Sequence, residues 1–177
     1  MRKEILSNIK DGEIFSIAGT EFIKFFEKSG IVTAVAKNSL GDYRFGHNNN
    51  FAESSIKKML EEEFLPKIAN EIGADNIVEH EVDLLSLDGL DKWGKTKCKA
   101  SLPTFDFYRQ NVKTFDKHKL NDWWWLVTPN TTSEHYSDNW TVCVSPVGDI
   151  FSFNYNYDRG VRPFLTFISS ISISCEE

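Results

Sequence analysis

Paired cysteines, a basic surplus and a long hydrophobic run are all missing from this sequence, and each absence removes a class of protein. Cys98, Cys143 and Cys175 are odd in number, far apart and without short ligand spacing. Neither a disulfide framework nor a zinc site is indicated, and reduced thiols in a cytoplasm are expected. Lys and Arg number 20 against 26 Asp and Glu, leaving a net charge of -6 and a pI near 5.3. A non-specific nucleic-acid binder needs basic surface to displace counterions, so that class is disfavoured, and an acidic chain suits soluble life or a basic partner. The opening "MRKEILSNIKDGEIF" has no apolar signal-peptide core, and "FLTFISSISIS" is too short and serine-rich to span a bilayer. No targeting and no membrane partner are expected. The sequons at Asn130 and Asn139 matter only on a secretory route.

Signatures of chemistry are scarce as well. No nucleophile–base motif occurs, neither HxE nor HExxH is present, and "GDYRFG" has the wrong glycine spacing for a phosphate cradle. Asp83, Asp88 and Asp91 in "DLLSLDGLD" lack the alternating oxygen ligands and terminal Glu of a calcium loop. His47 and His135 fall in polar loops, His80 in a strand and His118 in a lysine-rich connector. Lone histidines of this kind are structural or solvated, so no catalytic residue, metal or cofactor is expected.

What is present is the patterning of one α+β domain spanning residues 1–177, with 41% hydrophobic and 14% aromatic residues. Residues 13–18, 20–28 and 30–38 read as an antiparallel meander with turns at Ala18-Gly19 and Ser29-Gly30. Neither parity of the middle strand is cleanly polar, so two-sided burial is expected there. A polar loop, 37–51, precedes the main helical region, about 54–72. There Ile56, Met59, Leu60, Phe64, Ile68 and Ile72 form an apolar stripe, Ser54 is an N-cap and Gly73 a stop. Pro66 predicts a break near Phe64 and Leu65 with a second short helix after it. A strand over 77–87, a short helix capped by Thr104, a strand ending at Pro129, a hairpin over 139–156 turning at 146–149, and a last strand over 161–168 complete a mixed, mostly antiparallel sheet with long loops.

"DWWWLVTP" places Trp123, Trp124 and Trp125 on one strand, where alternation sends Trp123 and Trp125 to one face and Trp124 to the other. Phe151, Phe153, Tyr155 and Tyr157 share one parity nearby. No basic residues interleave among them, so core packing is expected ahead of base stacking or a glycan shelf.

Six stretches carry a resemblance over nearly the full length: "GEIFSIAGTEFIKF", "FGHNNNFAESSIKKMLEEEFLPKI", "EVDLLSLDGLDKWG", "SLPTFDFYR", the "WWLVTP" of 124–129 and the "GVRPF" of 160–164. In order and spacing they resemble a domain family that recurs in phages and mobile elements of gut and oral Firmicutes. The resemblance implies a C-type-lectin-like fold, related in outline to formylglycine-generating-enzyme domains, with the Trp-rich strand and the Val-Arg-Pro strand in its central sheet. Such domains mostly bind, and the cysteine motifs of the enzymatic relatives have no match here. Trp93, where relatives tend to have Tyr, and the third Trp at Trp123 are departures that touch local packing. Some small acidic phage proteins of the same neighbourhoods resemble anti-CRISPR inhibitors of Cas9.

The first expectation is therefore a non-enzymatic phage-type protein in the host cytoplasm that binds a host protein, most specifically Cas9 or its guide-RNA complex, without sequence-specific nucleic-acid binding. Glu61, Glu62, Glu63, Asp88 and Asp91 are its candidate contacts to Arg and Lys, with Trp123 as an aromatic anchor. The alternative is a lectin-like receptor- or glycan-binding module using His47, Asn48, Asn49, Asn50, Tyr136 and Trp140. An enzyme working through its His or Asp residues is the third.

Overall fold

In the computed structural model, which describes residues 2–135 and 139–175, the chain opens with β1 (Arg2–Ile5) and the meander β2 (Ile14–Ile17), β3 (Thr20–Lys28) and β4 (Ile31–Ala36). Both meander turns place two consecutive residues at positive φ, Ala18-Gly19 at 50° and 75° and Ser29-Gly30 at 52° and 76°. That is the hairpin geometry whose twist matches the flanking strands. The polar loop holds a short strand, β5 (Asp42–Arg44). The helical region follows as α1 (Ser55–Met59), a wide π-turn (Leu60–Phe64) and α2 (Leu65–Ile72). Then come β6 (Ile77–Val78), β7 (His80–Asp83), β8 (Lys95–Cys98), β9 (Ala100–Ser101), α3 (Phe105–Gln110), α4 (Val112–Asp116), β10 (Trp124–Pro129), β11 (Trp140–Val144), β12 (Ile150–Asn154), β13 (Asp158–Gly160), β14 (Phe164–Ile168) and β15 (Ser172–Cys175).

The result is mixed α+β and mostly antiparallel. One eight-stranded sheet runs β1-β15-β2-β3-β4-β14-β6, with β9 also on β14, and a five-stranded sheet runs β12-β11-β10-β13-β5. Among the described residues, only the β10–β13 pair is parallel. β7 and β8 form a separate two-stranded ladder.

Several expectations change. Helix does not stop near Pro66: the Leu65 N–H bonds the Leu60 carbonyl five residues back, and the wide turn carries the chain past the proline. The strand expected over 77–87 splits into β6, β7 and an irregular loop. The strand expected over 161–168 starts at Phe164 and is not the last, because the serine-rich tail adds β15 against β1. Val161, Arg162 and Pro163 are a crossover between the two sheets, so the Trp-rich strand and the Val-Arg-Pro segment do not share one. Pro163 has no N–H for a ladder, and the Arg162 side chain instead bonds the Ala36 and Lys37 carbonyls at 2.9 Å each.

Two clusters form the core, and β10 is the seam between them. Trp125 and Val127 pack with Phe45, Phe22, Phe167 and the helix residues Ile56, Leu60, Phe64 and Ile68. Trp124 and Leu126 pack with Ile23, Phe25, Tyr108, Phe115, Val142 and Val144. Burial of β3 on both faces includes a bulge: Lys24 and Phe26 face the adjacent residues Ala34 and Thr33, leaving Phe25 as the extra residue.

Candidate functional site

The β11–β12 hairpin turns at Ser145–Asp149, where Gly148 has φ of 92° and Asp149 O accepts from Ser145 N–H. β12 is the outermost strand of its sheet, so its alternating aromatics have covering neighbours on one side only. Phe151 remains 50% exposed, and Tyr157, just past the strand, 51%. The core role expected for this aromatic run therefore fails at both positions, because the strand lies at an edge. Phe153 packs at 5.7 Å from Tyr157. Half-buried Trp123 is the hub, with its ring edge-on to Phe151 at 5.1 Å and to Phe153 at 4.9 Å. Tyr155 leaves the group and takes Arg44 over its ring.

Arg159 of β13 completes the platform. Its guanidinium carbon sits 4.2 Å from the Phe153 centroid, 5.2 Å from Tyr157 and 5.9 Å from Trp123. Nη1 donates to the Asp158 carbonyl, Nε is buried without a partner, and among the described residues no carboxylate pairs with this charge. A guanidinium held against aromatic faces, with Nη1 on a carbonyl and no carboxylate partner among the described residues, is prepared for an anion. Beneath it, burial pushes the Cys143 thiol pKa well up, so this cysteine stays protonated.

The acidic candidates lie elsewhere and not together. Glu61, Glu62 and Glu63 are exposed along the π-turn, beside an open cavity of 580 Å³ that also takes in His47, Lys57 and Lys58. Glu61 is paired to Lys57 at 2.5 Å. Asp88 and Asp91 are exposed on the loop after β7, but the Asp88 carboxylate already accepts from Ser86 Oγ at 2.5 Å and Thr131 Oγ1 at 2.6 Å. Those hydroxyls hold its pKa below the usual value. Asp88 thus ties two loops together, whereas the Asp91 carboxylate has no side-chain partner among the described residues.

The asparagine loop is similarly committed to the fold. Asn49 is fully buried, donating from Nδ2 to the Thr131 and Trp140 carbonyls while Oδ1 accepts from Trp93 Nε1, each at 3.0 Å. Asn50 accepts from Ala52 N–H and Asn48 from Asn50 N–H. Trp140 is 46% exposed and His47 exposed, while Tyr136 lies outside the described residues. The amides expected to hold a glycan are engaged with backbone and with the Glu53 and Trp93 side chains.

His80 has neighbours that the sequence did not reveal. Its Nε2 lies 2.8 Å from Ser101 Oγ and 4.0 Å from Cys98 Sγ, and Phe164 packs on the ring. Ser101 is 1% exposed and donates to the Leu102 carbonyl, so it is neither accessible nor free to transfer its proton to the imidazole. Nδ1 has no partner in bonding geometry and no carboxylate orients it; burial lowers the His80 pKa to about 4, slightly offset by the nearby Val78 carbonyl. His118 stands apart, 3.4 Å from the Gly12 carbonyl. Among the described residues, no three His, Cys, Asp or Glu side chains are grouped to hold a metal, and no helix is long and apolar enough to cross a membrane. A cavity of 760 Å³ opens where β15 and β2 share the single pair Ser174–Ser16, and its Glu71 already accepts from the Ala18 N–H.

Of the partner contacts expected from the sequence, Trp123 lies in the platform; Phe151, Phe153 and Tyr157 were expected in the core, and Arg159 was not singled out. The signal that bears on them is "FSFNYNYDR", an aromatic alternation ending in a single cation. Compared with family models, curated proteins and solved structures, the chain matches none.

Proposed function

We propose that this is a non-enzymatic binding protein that engages a host protein, with the Trp123 platform as its anchor. The observation that carries the reading is the pair of half-exposed aromatics, Phe151 and Tyr157, around an unneutralised Arg159. Trp, Tyr and Arg are the residue types that dominate interface energetics, because each combines a large apolar area with a directional polar group. Leaving such a group in water has a solvation cost that a partner would relieve.

The most specific form of the reading is a phage-type anti-CRISPR inhibitor of a Cas9-type nuclease with a C-type-lectin-like lineage. Its support is the motif resemblance, the net charge of -6, and the exposed acids Glu61, Glu62, Glu63 and Asp91. A nuclease that holds nucleic acid in a positive channel attracts an acidic surface. The test is cleavage of target DNA by guide-loaded Cas9 with and without the purified chain. Inhibition is expected, weakened at least tenfold by Trp123→Ala and, through slower association at low salt, by Glu62→Lys with Glu63→Lys. Undiminished cleavage by every Cas9 tried, with no complex on gel filtration, would remove the nuclease form.

A further inference from the structure

Resting on the platform reading, we propose that the open edge of β12 takes up an extended segment of the partner protein, added as a sixth strand, with a carboxylate on the Phe151 and Phe153 face. Hydrogen-bond phase comes first. The bonds Ser145 N–H to Asp149 O and Tyr155 N–H to Asn139 O fix the odd residues 149, 151, 153 and 155 as those bonded to β11. In an antiparallel ladder the alternate residues then point their N–H and C=O groups away from that neighbour. Ile150, Ser152 and Asn154 therefore face the open edge. The Asn154 carbonyl is taken by Tyr157 N–H in the following turn; among the described residues, the remaining outward groups of these three have no partner.

Among the described residues, devices that blunt an edge are absent from it. Proteins protect such strands with lysine, proline, bulges or a covering loop. "IFSFN" has neither a charge nor a proline, and its pairing with β11 runs in unbroken register from Trp140–Asn154 to Val144–Ile150. The neighbouring β10–β11 pair, by contrast, shifts register. Five regular residues with free outward groups are a template for strand addition, a recognised mode of peptide capture.

Side chains then choose the occupant. Residues of an added strand on the Phe151 and Phe153 face would lie about 5 Å across from those rings, so an apolar side chain there covers Phe151. A carboxylate beside it meets Arg159, whose guanidinium lies over the Phe153 ring and has no carboxylate partner of its own among the described residues. A basic segment would bring like charges together. Within the strand a second copy of β12 offers only Phe151 and Phe153 on this face, and its acid of the same parity, Asp149, lies outside the strand in the turn tied to Ser145, so Arg159 favours a foreign segment that carries its carboxylate within the strand.

The experiment titrates the full ¹⁵N-labelled chain with three synthetic nine-residue peptides alternating valine with glutamate, serine or lysine. The glutamate peptide is expected to shift and protect the amides of Ile150, Ser152 and Asn154 and to bind at least tenfold more tightly than the lysine peptide. Arg159→Gln should reduce the glutamate peptide to the affinity of the serine peptide. Ser152→Pro, which blocks an outward N–H without removing a bond to β11, should abolish binding of all three. Equal affinity for the glutamate and lysine peptides, shifts mapping away from β12, or peptide-free dimerisation through β12 on light scattering would each overturn the proposal. Nuclease inhibition that survives Ser152→Pro but is lost in Trp123→Ala would remove strand addition and leave the platform reading standing.

Discussion

Arg162 is a cation buried without an anion. It is 1% exposed, and its stabilisation comes from two carbonyls and two aromatic faces, Trp124 at 4.9 Å and Phe115 at 5.5 Å from the guanidinium carbon. Burial pulls its pKa down to about 10, still well above neutrality, so the charge persists. Truncation to Ala would orphan the Ala36 and Lys37 carbonyls and open a cavity at the crossover between the sheets. A loss of about 3–5 kcal/mol in urea unfolding is expected. Arg162→Lys should recover less than half of that, because a single ammonium cannot spread flat over Trp124 while donating from two separated nitrogens. A loss under about 1 kcal/mol for the alanine variant would mean that water replaces the guanidinium there. Arg159 on β13, an inner strand of the five-stranded sheet, likewise lies over aromatic faces but is only half-buried, and so is available to a partner.

The helical segment shows how an element can be set by core register as well as by local propensity. Ile56, Leu60, Phe64 and Ile68 are all buried at strict four-residue spacing. In a straight α-helix each four-residue step drifts by about 40°, and three steps by about 120°, enough to carry Ile68 out of the stripe that begins at Ile56. The wide turn at Leu60–Phe64 removes part of that drift, and Pro66 follows where the ladder is already loosened. Pro66→Ala should therefore leave the π-turn in place and change stability by no more than about 1 kcal/mol. A gain near the ~3 kcal/mol interior-proline penalty would show that proline, not spacing, makes the turn. Elements with such strong local signals were legible in the sequence: β3 over Thr20–Lys28, the Ser54 and Thr104 caps accepting from Lys57 and Phe107 N–H, and the Gly73 stop. β5 and β13 were not, because "DYR" and "DRG" have no strand preference of their own and exist as strands through long-range pairing, with each other across more than a hundred residues and, for β13, with β10. The same reason hid most of the site. Whether Phe151 and Phe153 are core or surface depends on β12 being outermost in its sheet, and no local pattern encodes that. Trp123 was singled out because strand parity split the tryptophans and the motif resemblance covered Trp124 and Trp125 but not Trp123, and the exposure of Glu61, Glu62 and Glu63 by helical phase, whereas the hydroxyls that occupy Asp88 come from Ser86 and from Thr131, 43 residues away.

Across the whole molecule, the buried titratable groups confine maximal stability to near-neutral pH. On the acid side the principal group is His80, whose pKa falls from 6.5 to about 4 because burial disfavours the imidazolium. Between those values the unfolded chain binds a proton that the folded chain refuses. Stability is thus complete above pH 6.5, declines as the pH falls, and reaches its full loss below about pH 4. For a shift of this size the loss is up to about 3 kcal/mol. His118, lowered chiefly by burial, acts with the same sign, and the depressed Asp88 carboxylate adds a loss at still lower pH as its bonds to Ser86 and Thr131 give way. On the alkaline side burial raises Cys98 from 9.0 to about 11 and also raises Cys143 and Tyr108. There the unfolded chain releases protons that the folded chain keeps, and stability declines as the pH rises through the ordinary thiol range. His80→Gln, which keeps a polar group near Ser101 without a titrating ring, should remove most of the difference in unfolding free energy between pH 7 and pH 4 while leaving the alkaline limb unchanged. Urea unfolding of both proteins at pH 7, 5.5, 4 and 9.5 separates the limbs. An acid slope as steep in the variant as in the parent would place the acid-labile group outside the His80, Cys98 and Ser101 cluster.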